Sequence, residues 1–272
     1  MTMTAPTSPP PVGGLLRDWR KRRRLSQLDF AAEAEISQRH LSFVESGRAR
    51  PSREMLLRLA EHLDVPLRER NALLVAAGYA PLYSARPLDD AALAAARQAV
   101  EAILDGHAPH PALALDRHWN LIFANAAAGA LMAGADQKLL EPPVNVLRLS
   151  LHPDGLASRI GNYREWRAHI FSRLAQQIDS SGDTVLISLL EEFKSYPTPS
   201  NAKPYRPAQE PSGIAVPLEL LSDAGKLRFL STTTVFGTAL DNTLAELTIE
   251  TFFPADPETA AVLRALAENS TA

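Results

Sequence analysis

Residues 36–52, ISQRHLSFVESGRARPS, interleave a short apolar comb of Ile36, Leu41 and Val44 with Gln38, Arg39, His40, Ser42 and Phe43. At 3.6 residues per turn the comb takes one side of a helix and the polar set takes the other. Gln can make two parallel hydrogen bonds to an adenine edge and Arg two to a guanine edge, while a Phe ring can meet a thymine methyl. The same pattern also describes a helix whose outer face is merely solvated. Periodicity alone does not separate these readings.

Other side chains able to do chemistry are dispersed. The chain has no Cys, which excludes disulfides, Cys-ligated zinc, iron–sulfur clusters and thiol nucleophiles, and fits a reducing compartment. His107, His110 and His118 are neighbours in sequence, but no nearby Asp or Glu completes a dependable metal spacing and no H-E-x-x-H pattern occurs. His152 and His169 have no nucleophile motif beside them, and there is no Gly-rich phosphate loop. No catalytic residue, metal site or cofactor is expected, and the chain reads as a non-enzyme.

The totals bound the rest. A chain of 272 residues with 46% hydrophobic and 22% charged content can bury a sizeable core and favours two domains over one. Its net charge of −3 is unevenly spread: the first 83 residues carry 13 Lys and Arg against 9 Asp and Glu, the remainder 15 against 22. A basic head on an acidic body indicates that the head alone meets a polyanion. The opening MTMTAPTSPPPVGG lacks a basic-then-apolar signal pattern, and no segment reaches the ~18 consecutive apolar residues of a membrane span. A cytoplasmic, nucleoid-associated protein without a membrane partner is the expectation.

Stepping along the chain, residues 1–12 are too rich in Pro, Ser and Thr to offset ordering entropy and read as a disordered tail. Short amphipathic helices follow at about 13–24, 27–34, 38–46, 53–63 and 66–77. Ser26, Ser37 and Ser52 stand where they can accept from first-turn N–H groups, and Gly47 and Gly78 stand where helices end. Ala31 is small where two helices would touch, and Leu28 is placed on their inner side. In RKRRR, residues 20–24, the side chains splay around the axis, so only a few can reach one phosphate strand; Arg23 or Arg24 is the best placed.

The run LSQLDFAAEAEISQRHLSFVESGRARPSREMLLRLAEHLDV resembles the Xre-type helix-turn-helix family that includes the phage repressors. The shared features are the SQ that opens the second helix, the apolar comb, E-x-G-x-x-x-P and the helix behind it. The resemblance implies a lambda-repressor-like five-helix head at 13–80 that binds double-stranded DNA. It implies that Gln38, Arg39, Ser42 and Phe43 read bases. Gln27, Ser37, His40, Arg48, Arg50 and Arg24 would meet phosphates, and Arg20 and Glu45 would form a structural salt bridge. Glu35 departs from the pattern, because the family usually has Gly in that turn and a non-Gly residue at positive φ costs roughly 1 kcal/mol. Either the turn is remodelled or the strain is tolerated.

Residues 81–105 read as a linker and a connecting helix, and 106–268 as a second domain. Two strand-like runs around Asp116, Arg117 and His118 are followed by helices at about 144–151, 163–178 and 183–194 and a Pro-rich loop. Three strand-like runs, the first two joined across Ser222–Gly225, and a last helix at 257–268 complete it. This order is the connectivity of an α+β PAS-like domain with one five-stranded antiparallel sheet. The segments HPALALDRHWNLIFANAAA, NVLRLSLHPDGLASRIGNYREWRAHIFSRL and TTTVFGTALDNTLAELTIETFFPAD resemble the ligand-binding domain of MmyB-like transcription regulators. That resemblance implies a small-molecule sensor and, for part of the family, a fatty-acid-like ligand. A sheet with helices across one face makes an apolar cavity, for which Trp119, Phe123, Tyr163, Trp166, Ile170 and Phe236 are candidate walls and His152 or Arg148 a polar anchor. Ordinary core packing accounts for the same aromatics, and Asn125 is placed to cap a helix.

Together these readings give a multidomain, homodimeric, DNA-binding regulator whose second domain dimerises and senses a small apolar effector. Two alternatives remain open at this stage. One is a lipid carrier or enzyme with autoregulatory DNA binding; the other is an antitoxin-type DNA-binding module.

Overall fold

The computed structural model describes residues 11–205, 216–236 and 241–270. Most of the expected tail therefore lies outside the described residues, as does part of the Pro-rich loop. The chain divides into two compact units, the first made mainly of residues up to Arg86 and the second mainly of those from Pro87 onward.

The first unit is a bundle of α1 (Val12–Arg22), α2 (Gln27–Glu33), α3 (Gln38–Glu45), α4 (Arg53–His62) and α5 (Leu67–Ala76). Its boundaries follow from local chemistry. Ser26, Ser37 and Ser52 accept from the backbone N–H of Asp29, His40 and Met55, so three helices begin with an orphan donor satisfied. Gly47 and Gly78 take φ of +73° and +78°, ending α3 and α5 in the left-handed region that glycine enters without steric cost. Each helix contributes an apolar stripe to one core: Leu16 and Trp19, Phe30 and Ala31, Leu41 and Val44, Leu56 and Leu59, Leu73 and Leu74. Each fully buried Leu contributes about 1.5–3 kcal/mol by leaving water. Gly13 is required by contact, since a Cβ there would lie 2.2 Å from the Val44 carbonyl oxygen. The start of α1 thus presses directly on the end of α3.

Leu28 departs from expectation. It is 61% exposed, because α2 is short and turns Phe30 and Ala31 inward instead. The segment after α5 is anchored to the head, with Asn71 donating to the Tyr83 carbonyl and accepting from the N–H of Leu82 and Tyr83.

The second unit begins with α6 (Ala94–Gly106). Val100 and Leu104 of α6 bury in this unit's core, so the helix read as connecting is part of the sensor fold. Strands β1 (Ala112–Leu115), β2 (Leu121–Ala124), β3 (Leu218–Ser222), β4 (Gly225–Val235) and β5 (Thr248–Pro254) form one antiparallel sheet in the order β2-β1-β5-β4-β3. Between β2 and β3 run α7 (Ala126–Met132), α8 (Val146–Leu151), α9 (Tyr163–Ser181) and α10 (Thr184–Ser195); α11 (Asn242–Ala245) precedes β5 and α12 (Pro257–Ser270) follows it. Side chains alternate across the sheet. Leu113 and Leu115 of β1 therefore join Trp166, Ile170 and Leu174 of α9, while Ala112 and Ala114 face α6. The β3–β4 turn pairs Ser222 with Gly225, whose φ of +110° only glycine adopts readily.

Candidate nucleic-acid interface and ligand cavity

On α3, the residues left over from the core form the surface that matters. Leu41, Val44 and Glu45 are buried, Gln38 and Arg39 are exposed, and Ser42 and Phe43 are half-buried. Arg39 and Phe43 are one turn apart, and the Arg39 guanidinium lies 5.3 Å from the Phe43 ring centroid. Arg48, beyond the helix end, approaches the same ring at 5.9 Å. A ring flanked by two guanidinium groups limits their rotamers while keeping both charges near the surface.

Beneath that face a charged network fixes α3. Arg20 donates from Nε to Glu45 Oε1 at 2.6 Å and from NH2 to Oε2 at 2.9 Å, and its NH1 donates to the Leu25 carbonyl at 2.7 Å. Gln27 Nε2 donates to Glu45 Oε2 at 2.8 Å, and Arg17 reaches the Glu45 carbonyl at 2.9 Å. Burial pushes the Glu45 carboxyl upward, but the hydrogen bonds from Arg20 and Gln27 and the nearby Arg charges outweigh it and hold it below the ordinary carboxylate range. One buried carboxylate therefore ties α1, α2 and α3 together.

In the second unit a partly open cavity of about 110 Å³ lies between the sheet and the helices. Its walls include Leu113 and Trp119 from the β1–β2 hairpin, Leu131 from α7, Leu149 from α8, Trp166 and Ile170 from α9, and Phe252 from β5. Four polar residues interrupt the apolar lining: Ser150, His169, Arg173 and Glu250. Arg173 donates to Glu250 at 2.6 Å and to Thr233 Oγ1 at 3.1 Å, and the Thr233 hydroxyl donates to Glu250 at 2.8 Å. The Arg173 guanidinium also stacks 4.6 Å from the Trp119 ring centroid. Ser150 accepts from Trp166 Nε1 at 2.9 Å. Burial, then the Arg173 charge, holds His169 below the usual imidazole value despite the opposing pull of Glu250.

Trp119 is held in an uncommon conformation, with φ of +68°. Its turn is built by Asp116, which accepts from the N–H of both His118 and Asn120, and by Asn145, which donates to the His118 carbonyl. A bulky residue in the left-handed region persists only where its surroundings over-determine it. Here that strain delivers an indole to the cavity, where Trp119 Nε1 is satisfied by Gln177.

A family model for the MmyB-like transcription regulator ligand binding domain matches residues 96–266, and a helix-turn-helix model matches residues 16–70. The chain belongs to the MmyB-like transcription regulator family. It is a DNA-binding transcription regulator with a ligand-binding domain. Comparison with curated proteins gave no match.

Several residues expected at the two sites are engaged elsewhere. In the helix-turn-helix head, Gln27 is committed to Glu45, and His40 turns its ring to Met55 Sδ at 3.3 Å. Arg50 donates to the Ala77 carbonyl that closes α5 and stacks on Tyr79, which makes it a scaffold residue. Arg23 caps α4 through the Leu63 and Asp64 carbonyls, whereas Arg24 is exposed, at φ of +58°. Ser37 is exposed beside its capping bond, and Arg48 is exposed. Glu35 takes φ of +53° in an intact turn, so the strain is tolerated.

In the MmyB-like domain, Trp119, Trp166 and Ile170 line the cavity as expected residues do. Phe123 and Phe236 do not, because they pack with Val100 and Leu104 against the other sheet face. Tyr163 is core, with its hydroxyl donating to the Leu151 carbonyl at 3.3 Å. Arg148 forms two bonds to Glu192 at 2.6 and 2.8 Å, and His152 stacks edge-on against Tyr196, so neither is the cavity's polar anchor. The polar residues that do line the cavity are Ser150, His169, Arg173 and Glu250. A signal for Arg173 was present in its spacing from Trp166 and Ile170 along one helical stripe, and Glu250 is the one charged residue in β5. Asn125 caps α7 and also ties Ala112, Leu104 and His110. Among the described residues no cluster of His, Asp and Glu could hold a metal, and no helix is long and apolar enough to cross a membrane.

Proposed function

We propose that the chain is a cytoplasmic, sequence-specific regulator that acts as a homodimer, with α3 of each protomer in the major groove. Gln38, Arg39, Ser42 and Phe43 face base edges, while Arg48, Arg24 and Ser37 meet phosphates. Two recognition helices then read half-sites about one helical turn apart, ~34 Å. The observation that carries this reading is the α3 face itself: exposed Gln38 and Arg39 stand over a helix whose position is set by the buried Arg20–Glu45 pair.

The effector is a small apolar molecule with a fatty-acid-like chain, held between Trp119 and Trp166. The cavity of about 110 Å³ is smaller than the ~300–1,000 Å³ of pockets for drug-sized ligands. Longer chains need room, and α7 is where it can come from. Ala128, Leu131 and Met132 of α7 line the cavity, while Ala127 and Ala130 line an open groove of about 940 Å³ on its outer side. Regulation requires the effector to prefer one dimer geometry over another, since equal affinity shifts nothing. No catalytic step enters this reading.

Selection of bound DNA from a random pool, with and without a lipid extract, tests both halves. The expected result is an inverted repeat with half-sites about one turn apart, whose enrichment changes with the extract. Recovery of DNA without a shared motif would refute sequence-specific reading, and identical enrichment in both arms would refute effector control.

A further inference from the structure

We infer that the effector of the MmyB-like domain ends in an uncharged hydrogen-bonding group, such as an alcohol, aldehyde, ester or lactone, and not in a carboxylate. The inference rests on the reading of the cavity as the effector site and narrows the ligand's chemical class.

Charge balance carries the argument. The cavity holds one cation and one anion among its polar lining residues, Arg173 and Glu250, and they are bonded to each other at 2.6 Å. Thr233 clamps both partners. Glu250 is only 3% exposed, so its carboxylate has little recourse to water if it loses Arg173. A second carboxylate entering beside it would have to displace Glu250 from Arg173 or lie against a like charge in a poorly solvated space. Entering as the neutral acid is costly too. A carboxyl group of ordinary pKa near 4.3 is protonated in only about one molecule in a thousand at pH 7.5.

The remaining polar partners are neutral. Ser150 already accepts from Trp166 Nε1, which leaves its hydroxyl proton as the donor to offer a guest. Burial and Arg173 favour the uncharged imidazole at His169, which presents one donor and one acceptor. A hydroxyl or carbonyl can satisfy these groups without leaving any charge unpaired.

The test is a ligand titration of the full chain at pH 7.5 with 1-hexanol and hexanoate, six-carbon probes matched in length. The indole N–H resonances of Trp119 and Trp166 report where each binds. Tighter binding of 1-hexanol by about tenfold or more is expected. In Glu250→Gln, which keeps an acceptor for Arg173 but removes the negative charge, the preference should swing toward hexanoate by at least about tenfold. Should that variant fold poorly, Arg173→Gln provides the opposite arm: the ratio of 1-hexanol to hexanoate affinity rises further, by at least about threefold. A wild-type preference for hexanoate, or a probe ratio unmoved by these variants, overturns the uncharged head group and leaves the effector cavity standing. If neither probe shifts either indole, the effector-cavity reading fails and this inference fails with it.

Discussion

Arg39 and Arg50 carry the same guanidinium and follow each other closely in sequence, yet their surroundings give them different work. Arg50 closes α5 by donating to the Ala77 carbonyl, whereas Arg39 lies exposed along the Phe43 ring. Arg39→Ala should therefore reduce discrimination between operator and mutated operator by ~1–3 kcal/mol with nonspecific affinity nearly intact. Competition binding against a set of single-base operator variants measures it, and a uniform loss on all sequences would make Arg39 a phosphate contact. Glu45 belongs to the same scale. Removing one member of a buried ion pair typically costs ~3–5 kcal/mol, so Glu45→Ala should lower the head's melting transition sharply. Because the folded-state value of Glu45 is depressed, its contribution is fully present above the ordinary Glu value of about 4.3 and is lost as pH falls through the lower folded value. An acid titration followed by far-UV circular dichroism should show the wild-type head losing stability in that window and Glu45→Ala losing less of it. Arg20 and Glu45 were readable as a pair from the sequence motif; the addition of Gln27 and Arg17 to that carboxylate depends on how three helices meet.

At the scale of elements, the helix-turn-helix is shaped by its boundaries as much as by its core. Ser caps and Gly ends determine where α2, α3 and α4 start and where α3 and α5 stop, and those signals are local. The α2–α3 turn carries its strain at Glu35, with φ of +53°. Glu35→Gly should relieve about 1 kcal/mol of that strain, offset in part by the greater freedom of glycine in the unfolded chain. A rise in melting temperature of a few degrees in calorimetry is the expected outcome; a fall would show that the turn prefers a side chain at this position. In the second unit α6 shows the limit of element-level reading. Its amphipathic pattern predicts a helix correctly, but an apolar stripe does not name its partner. Only the burial of Val100 and Leu104 against Ala112, Ala114 and Ile249 assigns it to the sensor fold.

For the whole molecule, head and sensor have separate cores, so damage to one should leave the other folded. Trp166→Ala removes a large buried side chain from the cavity wall and should cost the sensor ~3–5 kcal/mol. Effector affinity should fall while the head's melting transition and its DNA affinity without effector stay unchanged. Unaltered effector affinity would remove Trp166 from the site. The division of labour between sequence and structure is clear in this unit. The order of strands and helices, the antiparallel sheet and the presence of an apolar cavity were legible, because alternation, turn chemistry and family motifs are written locally. So was the exposed face of α3, where outward and inward positions repeat within eight residues. The polar residues of the cavity were not legible in the same way. Arg148 and His152 look suited to anchor a guest, but Glu192 and Tyr196 engage them. Arg173 and Glu250 are 77 positions apart and become a pair only when α9 packs across β5. Local periodicity decides which side of an element is apolar. Which two charges share a cavity is decided by the register and packing of distant elements, and that information exists only once the chain has closed on itself.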